Sequence, residues 1–249
     1  MIHRRAAVSL LAASPALLTG CGGGAEAAPN RSEDDRPVRQ TASPAPAPAS
    51  SSPQPSGIPG LGPARTAAIP ERAEQVVVAS GRGRNSPLST VVLYSRDDGV
   101  WQPGARWPAH NGRDGWSEHH LAGDLRSPVG VYGLTDAGGL LADPGSRLPY
   151  HQSYGFTSPG TGFEGEPLEG SFDYVIAINY NREPGTSPLD WTRPMGAKRG
   201  GGVWLHVDHG GPTHACVSVA KAHMKELLRA LDPGRHPVVV MGHADWLAQ

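Results

Sequence analysis

The sequence predicts a mainly β domain with one clear helix, preceded by a disordered tether. Short runs rich in β-branched residues are bounded by turn residues, as in QVVVAS from Gln75, STVVLYSR from Ser89 and FDYVIAINY from Phe172. One segment alone, AKAHMKELLRAL from Ala220, places apolar residues at helical spacing. From residue 22 to about 70 the chain is mostly Ala, Pro, Ser and Gly, and it cannot bury enough apolar surface to fold.

The first residues have the pattern of an export signal. Arg4 and Arg5 precede an apolar run that is too short to span a bilayer. The run ends in Leu-Thr-Gly-Cys at residues 18–21, which resembles the bacterial lipobox, where the signal is removed and the cysteine receives lipid. We therefore expect a lipoprotein signal peptide at 1–20, a disordered linker at 21–70 and a catalytic domain at 71–249. The alternative is a plain secretory signal.

Charge and cysteine content limit the classes of function. The formal net charge of the 249 residues is -1, so electrostatics gives no reason to expect a nucleic acid partner. The chain has two cysteines. If Cys21 carries lipid on the outer side of the bacterial cell membrane, then Cys216 has no disulfide partner. An unpaired thiol outside the cell indicates a reactive role, and the alternative is an inert buried cysteine.

Further strands are predicted at Pro128 to Leu134 and at His236 to Gly242, where apolar and β-branched residues predominate. The stretch with Trp101, Trp107 and Trp116 is rich in Gly and Pro, and it is predicted to be a surface loop with aromatic anchors. The alternative is that its tryptophans and histidines line a substrate groove. Two long connections, before Phe172 and at residues 181–201, are expected to wall a functional site. The second contains three candidates for binding a substrate carboxylate, which are Arg182, Arg193 and Lys198.

The stretch GVWLHVDHGGPTHACVSV, residues 202–219, concentrates the reactive side chains. Its first part alternates like a strand and places His206 on the same face as Trp204. The Gly-Gly-Pro turn then returns the chain, so that the Cys216 sulfur can meet the His206 imidazole. Ser218 is expected to cap the following helix.

This arrangement would form an acyl-transfer site. An imidazolium at His206 and the nearby helix N-terminus would depress the pKa of the Cys216 thiol, and His206 would then act as base and acid. His209 and His214 are the alternative candidates for the base. The backbone N–H groups of His214, Ala215 and Cys216 could stabilise an oxyanion, while Thr213 could orient the His206 ring.

The sequence His-spacer-Thr-His-Ala-Cys-Val-Ser-Val resembles the active-site motif of the L,D-transpeptidase family, the YkuD-type catalytic domain. GDLRSPVGVYGLTDAGG, residues 123–139, resembles a strand and turn of the same family. Ala215 replaces the usual Gly, and Ser218 stands where many members carry an Arg that faces substrate. The resemblance implies a β-sandwich or barrel-like fold and catalysis by Cys216 without a cofactor. It also implies a peptidoglycan stem tetrapeptide as acyl donor, release of D-Ala and inhibition by carbapenems.

Three alternatives follow from the same residues. Water could resolve the acyl enzyme, which would make the protein an L,D-carboxypeptidase. The side chains of His206, His209, His214 and Cys216 could instead bind zinc, although their spacing lacks the usual paired pattern. The third alternative is a non-catalytic lipoprotein that binds the cell wall.

Overall fold

The structure is a computed structural model, and it describes residues 57–249. The predicted signal peptide, Cys21 and most of the predicted linker lie outside the described residues. The strands are β1 (Gln75–Gly81), β2 (Leu88–Asp97), β3 (Val100–His110), β4 (Trp116–Ser117), β5 (Ser127–Pro128), β6 (Gly130–Gly139), β7 (Tyr150–Gln152), β8 (Val175–Ile178), β9 (Trp204–Val207), β10 (Val217–Val219) and β11 (Val238–His243). The α-helices are α1 (Pro63–Ala67), α2 (Lys221–Ala230) and α3 (Ala244–Leu247), and short 3-10 turns lie at Tyr154–Phe156, Ala197–Arg199 and Pro233–Arg235.

Within residues 57–249, nine strands form one sheet in the order β11-β1-β2-β3-β10-β9-β8-β6-β7. Strand β11 also pairs with β6, so the sheet closes on itself and only β7 lies outside the ring. Closure leaves eight strands in a barrel-like arrangement without free edges in the ring. The prediction of a mainly β, barrel-like domain with one long helix is confirmed.

Helix α2 packs against β9 and covers one face of the sheet next to the reactive stretch. Met224, Leu227 and Leu228 are fully buried, as their helical spacing predicted. They pack in the same core as Leu205 and Val217, which occupy neighbouring positions on β9 and β10. The helix and the inward side chains therefore fix both strands that carry the candidate catalytic residues.

The prediction of a surface loop around the tryptophans is wrong. Most of it forms β3, which pairs antiparallel with β2, and Trp101 and Trp107 are buried in the core. Pro103 and Gly104 lie near a shift in the register between β2 and β3, which explains why the strand pattern is hard to recognise in the sequence. This strand matters for the site because it ends at His110.

The folded part begins before residue 71, so the predicted end of the linker is too late. Ile58 and Ile69 are buried, and α1 lies between them. The backbone N–H groups of Gly62 and Ala64 donate to carbonyls at the end of the chain, 2.8 and 2.9 Å away. These contacts tie the segment to the C-terminus, although its small and turn-forming residues resemble a linker.

In the part of the chain that the structure describes, no helix has the length and hydropathy needed to cross a bilayer.

Candidate active site

The reactive stretch forms two neighbouring parallel strands joined by a loop at residues 208–216. The register pairs Leu205 with Val217 and His206 with Ser218. Because paired residues share a face and side chains alternate along a strand, Cys216 and His206 lie on the same face, offset by two positions. Their neighbours Leu205 and Val217 point to the opposite, buried face. Sequence alternation and the returning loop thus bring Cys216 and His206 to one surface of the sheet.

The Cys216 sulfur is hydrogen-bonded to the backbone in this structure. It accepts from the Trp204 N–H at 3.4 Å and donates to the Gly202 carbonyl at 3.7 Å. His206 is not among the hydrogen-bond partners that the described residues give this sulfur. Burial raises the pKa of the Cys216 thiol to about 11. The hydrogen bond from the Trp204 N–H lowers this pKa, but by less than burial raises it. The expectation of a depressed thiol pKa is therefore contradicted, because the groups that bond to the sulfur within residues 57–249 are uncharged backbone groups of Trp204 and Gly202.

His206 is buried and held in one tautomer. Its Nδ1 donates to the Val207 carbonyl at 2.9 Å, so Nε2 is the nitrogen that can accept a proton. Burial lowers the pKa of the His206 imidazole to about 4. The hydrogen bond to the Val207 carbonyl raises this pKa, but by less than burial lowers it. The imidazole is thus neutral at physiological pH, and the resting pair consists of a neutral thiol and a neutral base.

His209 supports the His206 ring from one side. The two imidazole rings are nearly parallel, with centroids 5.8 Å apart. Nδ1 of His209 donates to the Glu166 carboxylate at 3.1 Å, and Phe172 meets the His206 ring edge-on at 5.3 Å. Glu166 and Phe172 come from the long connection before β8, so this connection walls the site, as the sequence suggested.

Thr213 fixes the loop and does not orient the His206 ring. Its hydroxyl donates to the Cys216 carbonyl at 2.6 Å, and its own carbonyl accepts from the Arg113 N–H at 2.9 Å. Its N–H donates to Asn111 at 3.0 Å, so every polar group of Thr213 has a partner other than His206. The predicted role for Thr213 is corrected, and the orienting group is the Val207 carbonyl.

The loop just before the nucleophile offers free backbone donors. Among the backbone hydrogen bonds of residues 57–249 outside strands and helices, none has the N–H of His214, Ala215 or Cys216 as donor. The His214 side chain is exposed and packs on Phe163 with ring centroids 4.8 Å apart. These three N–H groups are therefore available to an anion that forms at Cys216, whereas the His214 ring points to the surface.

A second polar network replaces the predicted helix cap. Ser218 lies in β10, fully buried, and its hydroxyl donates to Asp208 at 2.7 Å. His110 donates to the same carboxylate oxygen at 2.8 Å, and this bond is the main reason why the pKa of His110 is raised. Helix α2 begins at Lys221 with Ala220 as its cap residue, so the prediction that Ser218 caps it is wrong. The sequence did not identify His110, Asp208 or Glu166, since only tertiary pairing reveals them.

The structure also separates the candidate carboxylate-binding residues of the 181–201 connection. Arg182 is buried, with its guanidinium 2.8 Å from Asp136 and 2.6 Å from Asn179. It is fully engaged in a structural ion pair and unavailable to substrate. Lys198 is exposed to solvent. Arg193 is half-buried.

The zinc alternative has no convergent ligand set. Within residues 57–249, no group of three or more His, Cys, Asp or Glu side chains could hold a metal ion. The exposed His214 ring packs on Phe163, and the Cys216 sulfur faces backbone groups. The four side chains that the zinc hypothesis needs do not meet at one point.

Comparison with known proteins identifies the fold and the family. A family model described as the L,D-transpeptidase catalytic domain matches residues 78–240, well over half of the chain. Among solved structures, the chain is similar to Bd1075 of Bdellovibrio bacteriovorus, with 16% identity, a TM-score of 0.38 and coverage of 68% of this chain and 47% of that one.

A second solved structure comes from Clostridium acetobutylicum ATCC 824 and is described as a fused Zn-dependent amidase/peptidase/peptidoglycan-binding domain-containing protein. It shares 12% identity, with a TM-score of 0.31 and coverage of 68% of this chain and 51% of that one. The chain thus spans about half the length of both structures. No curated protein matches it. The family model covers both candidate catalytic strands, and the chain therefore belongs to the L,D-transpeptidase catalytic domain family.

Proposed function

We propose that the protein is a cell-envelope L,D-transpeptidase that transfers peptidoglycan stem peptides through a thioester on Cys216. The observation that carries this proposal is the placement of Cys216 and His206 on one face of the parallel pair β9 and β10. Among the backbone hydrogen bonds of residues 57–249 outside strands and helices, none uses the N–H groups of residues 214–216, so they can donate to an oxyanion formed at the neighbouring sulfur. Family membership supports peptidoglycan as the substrate.

Acylation begins from a neutral pair. The Cys216 thiol turns from the Gly202 carbonyl towards Nε2 of His206, which takes its proton as the sulfur attacks the carbonyl of the third stem residue. A carbon–sulfur bond forms, and the oxyanion of the tetrahedral intermediate accepts hydrogen bonds from the loop N–H groups. The bond to the D-Ala nitrogen then breaks, and His206 returns the proton to the leaving amine.

Deacylation repeats the sequence with an acceptor. An amine of a neighbouring stem attacks the thioester carbonyl, and Nε2 of His206 takes one of its protons. The carbon–sulfur bond breaks, and the proton restores the Cys216 thiol. Water in place of the amine would give a tripeptide instead, which is the carboxypeptidase alternative.

The two outcomes are separated by product analysis. The full chain is incubated with a stem tetrapeptide, with and without a second stem that has a free amine, and the products are identified by mass spectrometry. We expect D-Ala release and a cross-linked dimer that depends on the acceptor. Tripeptide alone would indicate hydrolysis. Equal product from Cys216→Ala, or no product from the unmodified chain, would contradict the acyl-transfer proposal.

We further propose that Cys21 carries lipid and anchors the protein to the outer face of the bacterial cell membrane. The support is the Leu-Thr-Gly-Cys sequence at residues 18–21, after a short apolar run with arginines before it. Cys21→Ser is expected to move the protein from the membrane fraction to the soluble fraction without loss of activity. The measurement is fractionation with intact mass of the mature N-terminus. An unmodified protein that is wholly soluble would contradict lipid anchoring.

A further inference from the structure

A cavity of about 400 Å³ opens beside the nucleophile loop. His214 and Ala215 form one wall, and the connection at residues 191–201 forms the opposite wall. The third wall comes from the loop at residues 120–125. Because Ala215 immediately precedes Cys216, a peptide bound with its scissile bond at the sulfur would have one end or one side chain in this cavity.

Arg193 is the arginine that lines this cavity. One of its nitrogens, Nη1, donates to the carbonyls of Asp190 and Thr192 at 3.0 and 2.9 Å. Its guanidinium lies 5.0 Å from the ring centre of Trp191, which is itself largely exposed. In residues 57–249, no carboxylate lies within ion-pair distance of Arg193. A partly buried guanidinium that is held in place by carbonyls, with donors unused, is suited to bind an anion.

The guanidinium lies against Gly201 and Gly202, and the second of these contacts the Cys216 sulfur. A side-chain carbon added at Gly201 would collide with Nε of Arg193, and one added at Gly202 would lie 3.6 Å from Nη2. The Gly202 carbonyl is the group that accepts from the Cys216 sulfur. Glycine at both positions, with φ of 150° and 67°, allows this close approach. The backbone of Gly202 therefore lies between the Arg193 guanidinium and the Cys216 sulfur.

The other two candidates of the 181–201 connection, Arg182 and Lys198, are not placed for this role. The Arg182 guanidinium is buried with Asp136, and Lys198 lies outside the set of residues that line the cavity. Ser218, two positions after the cysteine, offers no cation, and its buried hydroxyl donates to Asp208. His120 also lines the cavity, but burial lowers its pKa and so favours its neutral form.

We propose that Arg193 binds a carboxylate of the peptide substrate in this cavity, with Trp191 supporting the guanidinium. The inference rests on the proposed function, because it assumes a stem peptide at Cys216. Two carboxylates have suitable chemistry and a short separation from the scissile bond. One is the C-terminal carboxylate of the leaving D-Ala, and the other is a carboxylate on the side chain of the third residue. Each would form charge-assisted hydrogen bonds with the guanidinium.

The test measures binding without chemistry. Two forms of the full chain are compared, Cys216→Ala alone and Cys216→Ala with Arg193→Gln. The Kd of each for the stem tetrapeptide is measured by calorimetry. We expect Arg193→Gln to increase Kd by about 10-fold to 100-fold, the usual range for losing hydrogen bonds to a charged group. Lys198→Gln removes an equal charge from the same connection and is expected to leave Kd within about twofold.

Two altered peptides identify the carboxylate. If the site binds the terminal carboxylate, the peptide amidated at D-Ala binds weakly and is insensitive to Arg193→Gln. If the site binds the side-chain carboxylate, only the peptide amidated at that side chain binds weakly and is insensitive to Arg193→Gln. Arg193→Lys should recover part of the affinity for the acid, since it restores charge without the planar fork.

The carboxylate proposal is overturned if Arg193→Gln weakens the acid and both amides equally, if it has no effect, or if the acid does not bind at all. Failure of the proposed function has a different signature, which is the absence of an acyl adduct on the Cys216 thiol of the unmodified chain. Circular dichroism of each variant shows whether a loss of binding reflects a loss of fold.

Discussion

Replacing His206 by alanine is expected to slow acylation of Cys216 by about two to four orders of magnitude, the usual scale for the loss of a general base. The neutral His206 imidazole has Nε2 free because Nδ1 donates to Val207. The thiol has a pKa of about 11, so it depends on this base for proton removal at neutral pH. The rate is measured as release of D-Ala from a stem tetrapeptide under single-turnover conditions.

The histidines of the same loop provide matched controls. His209 stacks on His206 and pairs with Glu166, whereas the His214 ring faces the surface. His209→Ala and His214→Ala should each lower the rate by about tenfold or less, because they remove a neighbour and not the proton acceptor. If His209→Ala or His214→Ala abolished acylation while His206→Ala reacted normally, the assignment of the base would be wrong.

Alkylation of Cys216 by iodoacetamide should rise about tenfold per pH unit between pH 6 and pH 10, roughly 10,000-fold in all. The reason is that burial holds the pKa of the thiol near 11, so the thiolate fraction is small throughout this range and grows with pH. The measurement is intact mass after timed labelling of the Cys21→Ser protein, in which Cys216 is the remaining thiol.

An activated thiolate would behave differently. If an imidazolium at His206 stabilised the anion, the rate would be flat between about pH 5 and pH 8, as expected for an ion pair. Such a plateau would contradict the neutral resting pair. His206→Ala serves as the control, since the steep rise should persist when the base is removed, and circular dichroism at each pH confirms that the protein stays folded.

The local pattern of the sequence was sufficient for the parts of the fold where neighbours in the chain determine structure. The β-branched runs at β1, β2 and β11 form strands, and the helical spacing of Met224 and Leu227 buries one face of α2. Alternation along β9 with the returning loop was enough to place His206 and Cys216 on one face. Such features depend on periodicity, which is visible in the sequence itself.

Features that depend on tertiary environment were missed or misjudged. The pKa of Cys216 follows from its burial, and no spacing in the chain reveals how deep a thiol will lie. Ser218 is of a residue type that often caps helices, but pairing with His206 across the parallel strands makes it part of β10. The partners of the nearby polar groups, His110 and Glu166, come from β3 and a distant connection.

The most direct test of covalent catalysis is the intact mass of the full chain after exposure to a carbapenem, followed by peptide mapping. Opening of the β-lactam ring by the thiol releases no leaving group, so acylation adds the whole mass of the inhibitor. We expect one such addition, located on the peptide that contains Cys216 and absent from Cys216→Ala. An unmodified wild-type protein, or equal labelling of Cys216→Ala, would contradict it.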